Sequence, residues 1–448
     1  MVKPGDYKVD VNKGSRLYTE HVKAKELADK VKAEAGESTF GQSQQAKSVS
    51  NNEDTPFFMR QDRPKFTAQE RYVPSSPASR AAHFGMLGVQ LAGGTLAEAF
   101  KQKVGLSSAG DGQAGVAKYA LNAKNADRLA NNFKKMRGGA LKIGQLLSTG
   151  EESVLPPIIR DAMEKARSEA DIMPLKQVTK NLAREFGTDW QQNFSEINLY
   201  PFAAASIGQV HEALLKDGTR VALKMQYTGI AGSIDSDLNN FKYLAEMLGI
   251  FPRGLYLNEA IDVARAELHW ECNYEREAAY QRAYREHLVA YPKDFYCPAV
   301  IDHLSTRSIL CSEFVDGVET DTFLDAPQEL RNRIGSLLIS LCFKELFEFK
   351  LMQTDPNPAN YLYDESRDIM NLIDLGAGRD FEQGFLDSYM HIIWGAFKDD
   401  KQAILQNSFD IGFLTGDENR EMFNAQYKGT MIVGEPFRTA PGELYDFG

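Results

Sequence analysis

Two short stretches in the C-terminal half carry residue types that together suit phosphoryl chemistry. The first is QTDPNPANYLY, in which Asp355 is followed five residues later by Asn360. The second is NLIDLG, which contains Asp374, Leu375 and Gly376. Carboxylate and amide oxygens are hard ligands. They suit Mg²⁺, which also accepts phosphate oxygens and water. Either stretch alone is weak, because Asp-Pro-Asn is commonly a turn. The signal comes from both together, with a hairpin-like segment between them. A β-rich run, VALK, places Lys224 well upstream, where an ammonium could hold phosphates.

Protein kinases use this order of parts. On that pattern Asp355 lies near the acceptor, while Asn360 and Asp374 hold metal. Lys224 then needs a carboxylate to orient it. The segment RAELHWECNYEREA offers Glu267 and Glu271, one helical turn apart and so on one face, with Glu275 continuing that face. The spacing leaves open which of them meets Lys224. The connection between lobes is expected after a strand at 308–314, with backbone near Glu313–Val315 facing an adenine edge. Just before the Lys224 hairpin, where a glycine-rich phosphate loop is expected, stand Ala203, Ala204, Ala205 and Ser206.

These side chains need elements to hold them. Periodicity predicts strands at 221–225, 308–314, 361–363 and 370–373. It predicts long helices over 261–291 and 328–350, and helical pattern over 122–185. A turn is expected at 216–218. Residues 1–75 are polar and lack an apolar period, which reads as a disordered linker with a short helix near 17–34. From Ala81 to Ala97 there is no Asp, Glu, Lys or Arg. That stretch is short for a spanning helix and fits a membrane-associated or buried one. The fold class expected is α+β and protein-kinase-like: a small β-containing N-lobe over 194–315 and a helical C-lobe over 316–448, either truncated or with a different end. A linker (1–75), an apolar helix (76–102) and a helical extension (103–193) precede them.

The chain has 448 residues, a net charge of −11 and a pI near 5.3, which argue against nucleic acid as a partner. Cys272, Cys297, Cys311 and Cys342 form no Cys-x-x-Cys pair, so a structural zinc site is not expected. There is no secretory signal at the start and no Gly-x-Ser-x-Gly elbow.

Read together, KIGQ (Lys142–Gln145), AAASIGQVH, VALK, ELHWECNYEREA, QTDPNPAN and IDLGAGRDF resemble the UbiB family of atypical protein-kinase-like proteins, in particular its coenzyme Q-biosynthesis type. The likeness covers roughly residues 70–448. It implies an alanine-rich loop in place of the glycine-rich one. It also implies a Lys-x-Gly-Gln motif (Lys142, Gly144, Gln145) on an N-terminal extension over the nucleotide site. On its own, KKMRGGALKIGQLLS reads as a solvated basic face. The resemblance further implies ATP and Mg²⁺ as cofactors, ATPase rather than ordinary protein kinase activity, and a place on the matrix side of the inner mitochondrial membrane. Partners would be ATP or ADP, coenzyme Q biosynthesis proteins and lipid precursors, with a homodimer allowed. A genuine protein or lipid kinase and a nucleotide-gated scaffold are the alternatives. Three departures stand out. The chain stops at YDFG where relatives continue with further helices, which implies either a fragment or C-terminal helices that differ. Leu375 stands where the family usually has Phe, and Asn273 stands where relatives often carry Asp.

Overall fold

The computed structural model describes Phe58–Arg60, Met86, residues 172–205, 207–248 and 257–440, Glu443 and Tyr445. The linker, the apolar stretch at 81–100, the Lys-x-Gly-Gln motif and Ser206 lie outside the described residues, Met86 apart. The fold is α+β and protein-kinase-like, and its described part falls into two compact units. One holds residues up to Asp321 together with Asn357–Ala377, and the other holds Thr322–Pro356 with Gly378–Gly448.

The first unit is built on a sheet of six strands. These are β1 (Phe58–Arg60), β2 (Phe194–Asn198), β3 (Ala203–Ala204), β4 (Gly208–Leu215), β5 (Arg220–Gln226) and a later strand, Ile309–Glu313. The order is β1-β2-β4-β5 and then the Ile309–Glu313 strand, with β3 added on β4. The β4–β5 hairpin turns where the sequence places it. The Leu215 and Thr219 backbones meet there, and the Thr219 N–H donates to the Asp217 carboxylate at 2.9 Å. Along β5, Val221, Leu223 and Met225 are buried at 0–1% exposure while Ala222 and Lys224 face the other way. Strand pleating demands this alternation. Helix α1 (Leu175–Phe186) covers the buried face with Val178 and Leu182, one turn apart.

The region 261–291, expected as one helix, is broken. Helix α2 (Ile234–Leu248) is followed by α3 (Leu257–Glu271), and a new helix α4 (Tyr274–Leu288) starts three residues later. Asn273 is its N-cap: its side chain accepts from the Arg276 N–H. Asn and Asp are comparable caps, so the departure from the family's Asp keeps the cap while removing a charge.

After α4 come β6 (Phe295–Tyr296), β7 (the Ile309–Glu313 strand) and β8 (Val318–Glu319). The strand β9 (Leu351–Gln353) belongs to the second unit. The hairpin β10 (Tyr361–Asp364) and β11 (Ile369–Leu372) belongs to the first, pairing antiparallel with Tyr361 opposite Leu372. With β6 and β8 this hairpin forms a four-stranded sheet.

In the second unit, α5 (Gln328–Phe343) runs into a wider π-type turn at Lys344–Phe349 and stops at left-handed Lys350. There β9 pairs with β12 (Gly378–Asp380). Helix α6 (Gln383–Lys398) packs on both α7 (Lys401–Asp410) and α8 (Arg420–Gly434), burying Ala396 and Ile404. Among the described residues no helix is long and apolar enough to cross a membrane.

Candidate nucleotide site

Lys224 lies on β5 opposite Val210 of β4 and Leu310 of β7. Its side chain is 14% exposed, and its ammonium donates to the Glu277 carboxylate at 2.6 Å and to the Asp374 carboxylate at 2.8 Å. One cation therefore sits between two anions that come from α4 and from the turn after β11. The partner of Lys224 is Glu277, which corrects the expectation of Glu267 or Glu271. The cause is the break before Asn273. Glu267 and Glu271 end α3, whereas Glu277 lies on the first turns of α4, whose axis restarts at Tyr274. A face counted through the break loses its phase. The Asn cap followed by Glu275 and Glu277 is the sequence signal that marks the restart.

The electrostatics follow from the burial. Desolvation pushes the Glu277 carboxyl up to about 7, against the pull of the Lys224 ammonium. Burial works against the Lys224 charge too, but Asp374 and Glu277 outweigh it and hold the lysine well above its ordinary value. Desolvation also opposes ionisation of Asp374. Lys224 and the Gly376 N–H nevertheless keep that carboxyl below the usual carboxylate range.

The β10–β11 hairpin positions the metal-type oxygens. Asn360 ends a short 3₁₀ turn, Pro358–Asn360, whose cap is the Asn357 side chain on the Ala359 N–H. The Ile373 N–H donates to the Asn360 carbonyl at 3.1 Å, which fixes Asn360 beside the residue preceding Asp374. Asn360 is buried. The Asp374 carboxylate accepts from the Gly376 N–H at 3.0 Å, and the Gly376 carbonyl accepts from Arg276 at 2.8 Å. A Cβ at Gly376 would lie 3.2 Å from Asp374 and 3.3 Å from Glu277, so glycine leaves both carboxylates their places. Leu375 is buried, as its apolar nature requires.

Arg276, Tyr274 and Gly208 were not singled out by sequence. Arg276 is buried with its guanidinium over the Tyr280 ring, and it clamps the Asp-Leu-Gly turn to α4. The Lys224 ammonium stands 5.3 Å from the Tyr274 ring centroid. A Cβ at Gly208 would come within 2.5 Å of the Met225 carbonyl oxygen and 2.9 Å of the Tyr274 hydroxyl. The loop's glycine requirement thus falls at its end, and the alanines precede it. Ala203 and Ala204 form β3, paired with Val210 and Gln209, and the Ala205 N–H donates to the Gly208 carbonyl at 2.9 Å. Ala203 and Ala204 thus make a short strand on the edge of β4.

The remaining expected residues separate. Glu313 ends β7. Its N–H donates to the Ala299 carbonyl, and its carboxylate accepts from the Tyr296 hydroxyl at 2.6 Å and from the Ala299 N–H at 2.8 Å. Its N–H is therefore not offered to a base, whereas half-buried Val315 lies in the coil that follows. Asp355 lies in the second unit, where its N–H meets the Gln353 side chain at 3.5 Å. Cys272, Cys297 and Cys311 are buried, and burial pushes their thiols up to about 12, so none is a reactive thiolate.

The donor set fits Mg²⁺ shared with phosphates. An amide oxygen and a carboxylate are hard ligands, too few to cage an ion alone. Among the described residues no group of three or more His, Cys, Asp or Glu could hold a metal by itself. The Glu277 Oε2 atom and the Tyr274 hydroxyl are buried without a hydrogen-bond partner, which leaves polar capacity beside Lys224.

Residues 165–408 match the ABC1 atypical kinase-like domain. The chain is 42% identical over 381 residues to a Danio rerio protein named "Atypical kinase COQ8B, mitochondrial", covering 85% of this chain and 60% of that one. It is 42% identical to the Rattus norvegicus protein of the same name, covering 85% and 71%. It is 37% identical to "Atypical kinase COQ8, mitochondrial" of Saccharomyces cerevisiae, covering 90% and 79%. The chain thus spans about three-fifths of the Danio rerio relative's length.

Proposed function

The chain belongs to the ABC1 atypical kinase-like family, and from that premise we propose that it binds Mg-nucleotide and transfers or hydrolyses its terminal phosphoryl group. The observation that carries this reading is Lys224 held between Glu277 and Asp374. Lys224 neutralises phosphate charge, and Glu277 fixes the lysine's rotamer and height above the sheet. Asn360 and Asp374 would hold Mg²⁺, which when bound neutralises charge on the phosphate oxygens. Asp355, five residues before Asn360 in the chain, would orient an attacking water or acceptor hydroxyl. The backbone of Ala203–Ala205 would line the phosphate side. Lys142, with Gly144 and Gln145, would approach from the extension. Such catalysis is positioning and charge neutralisation, with little covalent work for the protein.

The Lys224–Asp374 contact has a consequence. A lysine bonded to the metal-type Asp must shift part of its hydrogen bonding to phosphate when nucleotide enters, while Glu277, 2% exposed, keeps hold of it. We further propose a setting in mitochondrial coenzyme Q biosynthesis, with association to a membrane. The support is the QTDPN form of the loop and the mitochondrial names of the relatives.

The test is calorimetry of Mg-ATP with the full chain and with Asp374→Asn. The variant is expected to bind at least about a hundredfold more weakly in Mg²⁺, since it removes the only formal charge the proposed metal ligands supply. Equal Mg-dependent affinity in the two proteins overturns the metal assignment. Labelled phosphate recovered as inorganic phosphate supports an ATPase, and label on protein or lipid supports a kinase.

A further inference from the structure

Two buried atoms of the Lys224 cluster have no hydrogen-bond partner, and they lie on different flanks of it. They are the Tyr274 hydroxyl, on a residue with 0% exposure, and the Glu277 Oε2, on one with 2%. The hydroxyl lies under the end of the alanine loop, where a Cβ at Gly208 would come within 2.9 Å of it. The Oε2 atom lies by the Asp-Leu-Gly turn, where a Cβ at Gly376 would come within 3.3 Å of it. The Lys224 ammonium is common to both flanks. It stands 2.6 Å from Glu277 Oε1, 2.8 Å from Asp374 Oδ2 and 5.3 Å from the Tyr274 ring centroid.

A buried polar atom left without a partner bears its full desolvation penalty. Here the two atoms are complementary. Burial holds the Tyr274 phenol well above its ordinary value, so it keeps its proton and is a donor. Glu277, with Oε1 on Lys224, has acceptor capacity left on Oε2. The two residues are three apart on α4 and so share a face. Side chains lean toward the N-terminus of a helix, which tips Glu277 over the turn that holds Tyr274. The move that joins them is the one nucleotide entry requires. Phosphates under the alanine loop draw the ammonium away from Asp374 and toward Gly208. Glu277, bonded to the ammonium through Oε1, turns with it and swings Oε2 from the Gly376 flank to the hydroxyl.

We propose that the Tyr274 hydroxyl is held in reserve for the loaded state, where it donates to Glu277 Oε2 and fixes the carboxylate that holds Lys224. The proposal rests on the Mg-nucleotide reading above and adds a positioning residue that touches neither phosphate nor metal. It also explains the glycine at 208, since a side chain there would take the place of the hydroxyl.

The test is Tyr274→Phe in the full chain, which removes the hydroxyl and keeps the ring beside Lys224. Its effect should have opposite signs in the two states. Without nucleotide the variant sheds a buried group that has no partner, and its melting temperature is expected to rise by about 1–3 °C. With nucleotide it lacks a charge-assisted hydrogen bond, and Mg-ADP binding in calorimetry is expected to weaken about tenfold. A Glu277→Gln background checks the route. There Tyr274→Phe is expected to weaken Mg-ADP by less than about threefold, because the charge that the hydroxyl serves is gone. A lower melting temperature in the nucleotide-free variant overturns the proposal, since the hydroxyl then already has a partner. Unchanged Mg-ADP affinity overturns it too. A tenfold loss in both backgrounds places the hydroxyl on the ligand itself and equally sinks the role given to it. A parent chain that binds no Mg-ADP removes the nucleotide reading and the proposal with it, whereas failure in the variant alone leaves that reading intact.

Discussion

Two buried polar clusters sit on the same pair of strands and differ in kind. On one face of β4 and β5, Lys224 meets Glu277 and Asp374. On the other face of β4, Gln209 and His211 are both 0% exposed and carry no charge. The Gln209 amide donates to the His211 Nε2 at 2.8 Å and accepts from the Met173 N–H at 2.9 Å. The His211 Nδ1–H donates to the Asn198 carbonyl at 3.0 Å. Each atom of that neutral cluster named here has a partner, so it fastens β4 to β2 and to the segment before α1. The charged cluster keeps buried atoms without partners at Glu277 Oε2 and the Tyr274 hydroxyl. A satisfied network rigidifies, whereas spare polar capacity next to a paired charge marks a place where something else binds.

The comparison breaks most sharply at Glu277. Glu277→Gln keeps the shape but removes the charge that holds Lys224 when Asp374 is needed elsewhere. Phosphate release is expected to fall on the order of a hundredfold. The melting temperature should shift by only a few degrees, because Asp374 still pairs the lysine. Glu267→Gln and Glu271→Gln should each stay within about threefold of the parent in the same assay. If Glu271→Gln is as damaging as Glu277→Gln, the assignment across the helix break is wrong.

The neutral cluster should answer in stability instead. Gln209→Leu strands the Met173 N–H and leaves the His211 Nε2 without its donor. Leaving buried groups unsatisfied costs about 1–3 kcal/mol each, so a loss of roughly 2–6 kcal/mol is expected in urea unfolding. Mg-nucleotide affinity of the folded variant should match the parent. A large loss of affinity with little loss of stability would reverse the roles given to the two faces.

A smaller effect separates the clusters by pH. Burial pushes the His211 imidazole down to about 4 from an ordinary 6.5, partly resisted by its bond to Asn198. The unfolded chain therefore binds a proton more readily between those values. The contribution of His211 is complete above pH 6.5 and disappears as pH falls through 4, about 3 kcal/mol at the limit. The difference in unfolding free energy between the parent and His211→Asn should grow from pH 4 to 6.5 and then level off. Taking the difference removes the slopes shared by both proteins, Glu277's among them. A flat difference would mean that His211 is not buried neutral.

Most of the chemistry was legible because it is local. Lys224 lies on a strand whose alternation shows in VALK, and the spacing of Asn360 and Asp374 encloses a short hairpin whose strands were visible. Glu277 was lost because RAELHWECNYEREA keeps helical period across Cys272 and Asn273, and the cap residue is easily read as one more polar position. The Gln209–His211 pair was hidden for another reason. Polar residues alternating on a strand suggest a solvated face, and here their partners come from Asn198 and Met173, which no local pattern connects to them. The Phe202–Phe314 contact likewise joins the alanine loop to a coil more than a hundred residues later.

The smallest expected effect lies in the alanines. Ala203 and Ala204 have ordinary strand geometry, and the close approach that demands glycine is at Gly208. Alanine therefore sits there without strain, paired to Val210 and Gln209 of β4. Ala204→Gly removes no side chain from either polar cluster, although Ala204 is the strand neighbour of Gln209. It raises the freedom of a two-residue strand by roughly 0.5–1 kcal/mol, an amount set by the entropy of glycine. The folded protein should lose little stability. Mg-ADP dissociation in stopped-flow should quicken about two- to fivefold, the same free energy expressed as a rate. If autophosphorylation also emerges, the methyl groups restrain transfer as well as release. Identical dissociation rates and no new label on the protein would reduce the alanines to packing against β4.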